Sequence, residues 1–326
     1  MTEKLKIDLS LLSKYRTELM GFSAIGILMC HAYGYNVIMP TYLWQICSLG
    51  QTGVSIFFLL SGMGMFYSLK KSEQDTQHEG SSGLIHWYQA RYIKLFVPYL
   101  LMAIPYFLWR SFENNTGLMG FLKSITTLTY WIDGGAPWFV GAIIPLYLIV
   151  PWWHKLLCKM RHSLIPTLLV FMVLLCLGQW RHMDEIAFFF LGYWLGKPVF
   201  EGRTINAIVW IVIPILLYIT CRFISYLDWI PRSLLLVVPF LLLAACIFDK
   251  ADQHIKKPFQ FMGKISLESY LANTMLPDVF ACVPWIINGV NYNVGNRLLY
   301  LCVVVFGILT ARSRSEERRV GKECRS

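Results

Sequence analysis

The chain is predicted to be an all-α, polytopic membrane protein of about ten transmembrane helices, the last of them cut short. Three observations carry this. Hydrophobic residues make up 56% of the 326 residues and charged residues only 15%, where soluble domains carry about 25% charged. Mean hydropathy is +0.52, and apolar runs of spanning length recur from one end to the other. The net charge is +10, yet Lys and Arg sit between apolar runs, where topology signals belong, and do not cluster with aromatics as on a nucleic-acid surface.

A span needs about 20 mostly apolar residues. The candidates are 19–37, 46–69, 92–110, 138–153, 164–179, 185–200, 204–221, 231–248, 266–287 and 297–311. Those at 138–153, 164–179 and 185–200 are short, which fits tilted or half-buried helices. With the N-terminus in the cytoplasm, the inside segments hold seventeen Lys and Arg and the outside segments six. That asymmetry is the positive-inside pattern, with both ends inside. The basic start runs straight into the first span with no small-residue cleavage pattern, so no removable signal peptide is expected.

Between spans, the inside segment 70–90 contains KKSEQDTQHEGSSG and is expected to be polar and flexible. The outside segment 111–137 has aromatics that suit a surface-lying or re-entrant piece, followed by a Gly-Gly-Ala-Pro turn. After Thr310 the apolar pattern stops abruptly in ARSRSEERRVGKECRS, which reads as a non-native end. The membrane domain is therefore set at 1–310 and the tail at 311–326. Nine cysteines are scattered without a C-x-x-C pair or metal spacing and read as small buried side chains. No metal is expected.

Chemistry concentrates on few residues. MGFSAIGILMCHA (20–32) is apolar and helix-length with one ionisable side chain, His31. Ionisable groups inside a bilayer are costly and mark sites by default. An imidazole there suits general-base work on an alcohol; the plain alternative is an interhelical hydrogen bond. Arg16 and Glu18 sit at the cytoplasmic start of the same helix, about 20 Å from His31 at 1.5 Å per residue. Arg16 either anchors at the interface or faces an anionic cofactor, whereas Glu18 reads as an anchor. GQTGVSIFFLLSGMGMFYSL (50–69) carries glycines at 50, 53, 62 and 64, read as close-packing positions, and Ser61 beside them as a candidate pocket residue. In HWYQARYIKLFVPYL, Arg91 and Lys94 are three apart, on one helix face at its cytoplasmic end. Such a pair holds phosphates by charge-assisted hydrogen bonds or serves only as topology charge. Asp133 reads as a turn residue, and His86, His154, His162, His182 and His254 as solvated interface residues. There is no G-x-S-x-G elbow, Walker lysine loop or H-E-x-x-H.

Together these segments resemble the acyltransferase family 3 of integral membrane O-acyltransferases. Gly21 to His31 resembles the family's opening motif, and GVSIFFLLSG (53–62) its second-helix signature. RYIKLFVPYL (91–100) is similar to its Arg-x-x-Arg segment, WFVGAIIPLYLIVP (138–151) to its Trp-Phe segment, and FMGKISLESYLANT (261–274) to its late motif. The resemblance covers residues 15–310. It implies an acyl-CoA donor (acetyl-CoA) on the cytoplasmic side, a glycan hydroxyl as acceptor on the outer side, and His31 as the essential histidine. Arg91, Lys94 and Arg16 would bind the CoA phosphates. Ser61, Trp138 and Asn273 would line the substrate pocket. The chain departs from the family pattern twice. Met20 stands where an arginine is usual, with Arg16 one turn earlier as its substitute, and Asn273 stands where a histidine is common. The expected setting is the inner (plasma) membrane, with membrane lipid and a glycan as partners and no nucleic acid. The competing reading is a transporter or flippase for a lipid-linked sugar with His31 as a proton relay.

Overall fold

The computed structural model describes residues 6–35, 37–79, 83–135, 137–178, 180–224, 232–282, 285–287, 290–292 and 300–312. The expected tail lies outside these residues from 313 onward. The chain is helical, as predicted: α1 (Ser10–Lys14), α2 (Arg16–Gly34), α3 (Thr41–Leu49), α4 (Thr52–Glu79), α5 (Gly83–Glu113), α6 (Gly117–Ile125), α7 (Leu128–Asp133), α8 (Trp138–Lys159), α9 (Leu164–Leu177), α10 (Met183–Phe200), α11 (Ile213–Phe223), α12 (Arg232–Lys250), α13 (Gln253–Lys264), α14 (Ser266–Cys282) and α15 (Tyr300–Arg312). Two short antiparallel ribbons interrupt them: β1 (Lys6–Asp8) with β2 (Thr204–Asn206), and β3 (Trp285–Ile287) with β4 (Val290–Tyr292).

Four stretches are long and apolar enough to cross a membrane: Thr41–Gln74, Gly83–Glu113, Trp138–Lys159 and Arg232–Lys250. Three more, Leu164–Leu177, Ile208–Phe223 and Tyr300–Arg312, are apolar but shorter. Length and composition thus account for four crossings among the described residues and not for ten. The reason is visible in α2 and α10, which are 19 and 18 residues long. Each carries ionisable residues, Arg16, Glu18 and His31 in one and Asp184, Glu185 and Lys197 in the other, that dilute an otherwise apolar helix.

Several expectations are corrected. The segment 70–90 is helical on both sides of residues 80–82, because Lys, Glu and Gln favour helix and no Gly or Pro intervenes before Gly80. The seventh candidate span opens with β2 and a π-helical turn at Ile208–Val212 before α11 begins. The ninth is helical to Cys282, and β3 takes its last residues. Cysteines are not generally buried: Cys158, Cys176 and Cys302 are exposed, while Cys30, Cys47, Cys221 and Cys246 are half-buried. An apolar outer face, such as that of α9 with Leu168, Leu169, Met172 and Val173 exposed, accepts a thiol as readily as an interior does.

The described chain divides into two compact units, Met1–Phe66 with Ser163–Ser266, and Tyr67–His162 with Leu267–Ser326. In the first, two helix pairs meet through reciprocal glycines. A Cβ on Gly62 of α4 would run into the Phe189 carbonyl of α10, and one on Gly192 of α10 into the Leu59 carbonyl of α4. In the same way Gly21 of α2 meets Phe259 of α13, and Gly263 of α13 meets Thr17 of α2. Such close approach is the small-residue packing that joins helices where no hydrophobic drive separates them from lipid. Helix α13 itself was not foreseen. Its apolar residues Ile255, Phe259 and Met262 recur at helical spacing within an otherwise polar connection.

Side-chain ties link the helix ends within each unit. In the first, Lys14 pairs with Asp249 at 2.9 Å, and Gln260 donates to Glu18 at 2.8 Å. At other ends Gln51 donates to Glu185 at 3.5 Å, and Arg232 to Ser48 at 3.4 Å. In the second, His154 meets Glu73 at 2.8 Å, and Arg110 meets Asp278 at 2.7 Å. Lys14 with Asp249, Glu18 with Gln260 and Glu73 with His154 each join residues from segments that the charge alternation assigns to the inside. His154, expected to be solvated, is instead largely covered at this contact.

Candidate functional site

Helix α2 is continuous from Arg16 to Gly34, so fifteen residues separate Arg16 from His31, about 22 Å of rise. His31 is half-buried on the last turn, where its carbonyl accepts the Tyr35 N–H at 2.8 Å. The neighbouring backbone is tightly packed, since a Cβ on Gly50 would meet the Gly26 carbonyl and the Cys30 N–H. One residue beyond Gly50, Gln51 reaches Glu185. Glu185 and Asp184 are both buried in the first turn of α10, where a helix N-terminus favours negative charge. The lead-in is left-handed at Arg181 (φ 49°) and His182 (φ 55°), a strained backbone for non-glycine residues. It sets the His182 ring 3.5 Å from Glu185. Asp184 Oδ1 is sealed from solvent and has no hydrogen-bond partner among the described residues. The two carboxylates were not singled out in the sequence, although a pair of acids joined directly to the apolar run IAFFFLGYW was a signal.

At the other end of α2, Arg16 lies against α4. Its Nε and Nη2 donate to the Leu60 carbonyl at 3.3 and 3.2 Å. The guanidinium occupies the notch left by Gly64, where a Cβ would collide with it. Gly64 is therefore what lets Arg16 turn inward, a reason the sequence could not reveal. Glu18 is buried at 6% exposure and ties α2 to α13 through Gln260, so it is no interfacial anchor. Ser61 is buried on α4 in the same unit.

The second unit holds the remaining candidates. Ser68 Oγ receives donors from Trp87 Nε1 at 2.6 Å and from Arg91 Nη2. Trp87 and Arg91 are four apart on α5 and so share a face. Arg91 Nε is buried with no hydrogen-bond partner among the described residues, an uncommon state for a charged donor. Lys94, three residues beyond Arg91, is exposed. Along α8, Trp138 is half-buried, and the next residue, Phe139, donates its N–H to Tyr270 Oη at 3.3 Å with ring centroids 5.4 Å apart. Asn273, three residues after Tyr270 on α14, is buried at 2% exposure. The Trp-Phe segment and the late motif thus meet through Phe139 and Tyr270.

A family model, described as an acyltransferase domain, matches residues 19–312. The chain belongs to acyltransferase family 3. Neither the curated proteins nor the solved structures supply a match to it. In this membrane acyltransferase the matched region includes His31, Ser61, Arg91, Lys94, Trp138 and Asn273, and begins three residues after Arg16.

Proposed function

We propose that this acyltransferase moves an acyl group, acetyl in the simplest case, from cytoplasmic acyl-CoA to a hydroxyl of a cell-surface glycan. The single observation that carries the reading is His31, an imidazole on the 19-residue helix α2 of a chain that belongs to an acyltransferase family. In the reaction, a ring nitrogen of His31 takes the proton of the acceptor hydroxyl as its oxygen attacks the thioester carbonyl. The carbon–sulfur bond breaks, and the CoA thiolate leaves and takes up a proton. General-base help of this kind contributes about 10²–10⁴-fold.

Arg91 is the residue best suited to the donor's phosphates, because its buried Nε is an unspent charged donor. Lys94 and Arg16 add positive charge, and Ser61, Trp138 and Asn273 are assigned to the substrate pocket. Arg91→Ala is expected to raise KM for acetyl-CoA about tenfold or more, the effect of losing a charged hydrogen bond worth roughly 1.5–3 kcal/mol. A titration of initial rate against acetyl-CoA checks this, and an unchanged KM would remove Arg91 from the donor site.

The sidedness, with the N-terminus cytoplasmic in an inner (plasma) membrane, rests on the seventeen-to-six distribution of basic residues. It is supported by the Lys14–Asp249, Glu18–Gln260 and Glu73–His154 ties, whose partners all come from segments assigned to the inside. The deciding experiment follows acetyl-CoA consumption by the purified protein in lipid nanodiscs supplied with the host glycan. Protein-dependent thioester cleavage supports transfer; intact acetyl-CoA would favour a transporter or flippase.

A further inference from the structure

Within the second unit, the hydroxyl of Ser68 on α4 is boxed in by donors. Trp87 Nε1 gives it a proton at 2.6 Å, and Arg91 Nη2 gives it another. An indole N–H and a guanidinium can only donate, so Ser68 Oγ must accept from both. A hydroxyl has two lone pairs, and here both are taken. Only its own O–H is left to it. A helical hydroxyl readily spends that proton on the carbonyl four residues earlier, as Thr167, Thr220 and Thr274 all do. Among the described residues, the Ser68 hydroxyl donates to none.

The cluster therefore holds unspent donors of two kinds, the Ser68 O–H and the buried Arg91 Nε. Among the described residues no carboxylate reaches Ser68, Trp87 or Arg91. The next acid along α4, Glu73, is engaged by His154 at 2.8 Å. Leaving a charged donor buried without an acceptor is costly, and the cluster carries positive charge with acceptors nowhere in it. What it lacks is an anion with several acceptor oxygens, which is the chemistry of a phosphate. Trp87 is buried at 5% exposure, so its indole is a fixed strut: it holds Ser68 Oγ, and Ser68 Oγ holds one arm of the Arg91 fork.

We infer that Ser68 is a phosphate-binding and positioning residue: braced by Trp87, it fixes the Arg91 guanidinium and turns its own O–H toward the phosphate that Arg91 holds. The inference deepens the acyl-transfer reading and rests on it for assigning that phosphate to the CoA of the donor. A phospholipid headgroup offers the same oxygens, and the test separates the two sources. Ser68 lies beyond the packing glycines of α4 and carries no charge, so its part becomes visible only when Trp87 and Arg91 are seen to converge on it.

The test compares initial rates with acetyl-CoA and with S-acetylpantetheine, which lacks every phosphate, using the full-length protein in nanodiscs supplied with the host glycan. In Ser68→Ala the ratio of kcat/KM for acetyl-CoA to that for S-acetylpantetheine is expected to fall about tenfold, the effect of a hydrogen bond to a charged group. The fall should lie in KM for acetyl-CoA, with kcat nearly kept. Because the ratio does not depend on how much of the preparation is folded, a merely structural serine would leave it unmoved. Ser68→Thr keeps the hydroxyl and should hold the ratio near that of the unaltered protein. Trp87→Phe frees one lone pair of Ser68 and should give a smaller fall. Calorimetric titration with CoA, which needs no turnover, should show the same loss of affinity in Ser68→Ala. An unmoved ratio with unchanged CoA affinity, or a Ser68→Thr ratio as low as that of Ser68→Ala, would overturn the assignment. Unchanged CoA affinity together with loss of co-purified phospholipid from Ser68→Ala would give the cluster to a lipid phosphate and overturn it likewise. Ser68-dependent CoA binding without thioester cleavage sinks the acyl-transfer reading and leaves the phosphate site standing, whereas cleavage with an unmoved ratio sinks the role of Ser68 alone.

Discussion

Gly62→Leu and Gly192→Leu are each expected to remove most of the folded protein from the membrane. The two glycines face each other where α4 and α10 cross, and each takes the place of a side chain that would collide with the other helix's backbone carbonyl. A flexible side chain could swing away from an added carbon; a carbonyl within a helix cannot move without shifting the whole helix. Overpacking a close contact costs about 1–3 kcal/mol and more when the backbone must yield, and the leucine branch goes well beyond the first carbon. The thermal midpoint in detergent and the yield of monodisperse protein report the loss. Gly34→Ala serves as the control, because nothing lies within 4 Å of a Cβ at that position. It should leave both measurements unchanged or slightly improved.

His31→Ala is expected to lower acyl transfer by about 10²–10⁴-fold while leaving the amount and thermal midpoint of the protein near normal. The side chain is half-buried, not locked in the interior, so the truncation opens little space. His31→Gln separates base chemistry from structure. The amide keeps a hydrogen-bonding group of similar reach but takes no proton at neutral pH. If His31 served only to join helices, glutamine would restore much of the activity; if it is the base, activity stays low in both variants.

Much of the helical architecture was legible because it depends on local composition. Apolar runs bounded by basic residues marked most helices to within a turn or two at one end or the other, and Gly50, Gly53, Gly62 and Gly64 were read as packing positions from their type alone. In the structure all four sit against a neighbour: the Gly26 carbonyl, the Ser23 carbonyl, the Phe189 carbonyl and the Arg16 guanidinium. What stayed hidden depends on pairing across long separations. Gly192 and Gly263 had no meaning until Leu59 and Thr17 were brought to them. Asp278 lies 168 residues from Arg110, and each alone looks like an end-of-helix charge. Asp184 and Glu185 were overlooked for a related reason, since acids at the edge of an apolar run resemble an ordinary interface. The count of spans was hardest to read, because α2 and α10 combine apolar faces with buried ionisable groups. Among the site candidates, Arg16 was legible as a cation but not as one turned inward onto Leu60.

The central claim is that His31 draws on acyl-CoA from the cytoplasmic side to acylate a glycan on the other. Sealed inside-out membrane vesicles carrying the protein and its host glycan, given acetyl-labelled acetyl-CoA in the outer medium, test it most directly. The expected result is label bound to glycan inside the vesicles with the unaltered protein and background label with His31→Ala at equal protein levels. Equal labelling by the two proteins, or labelling only when acetyl-CoA is loaded into the vesicle interior, would contradict it.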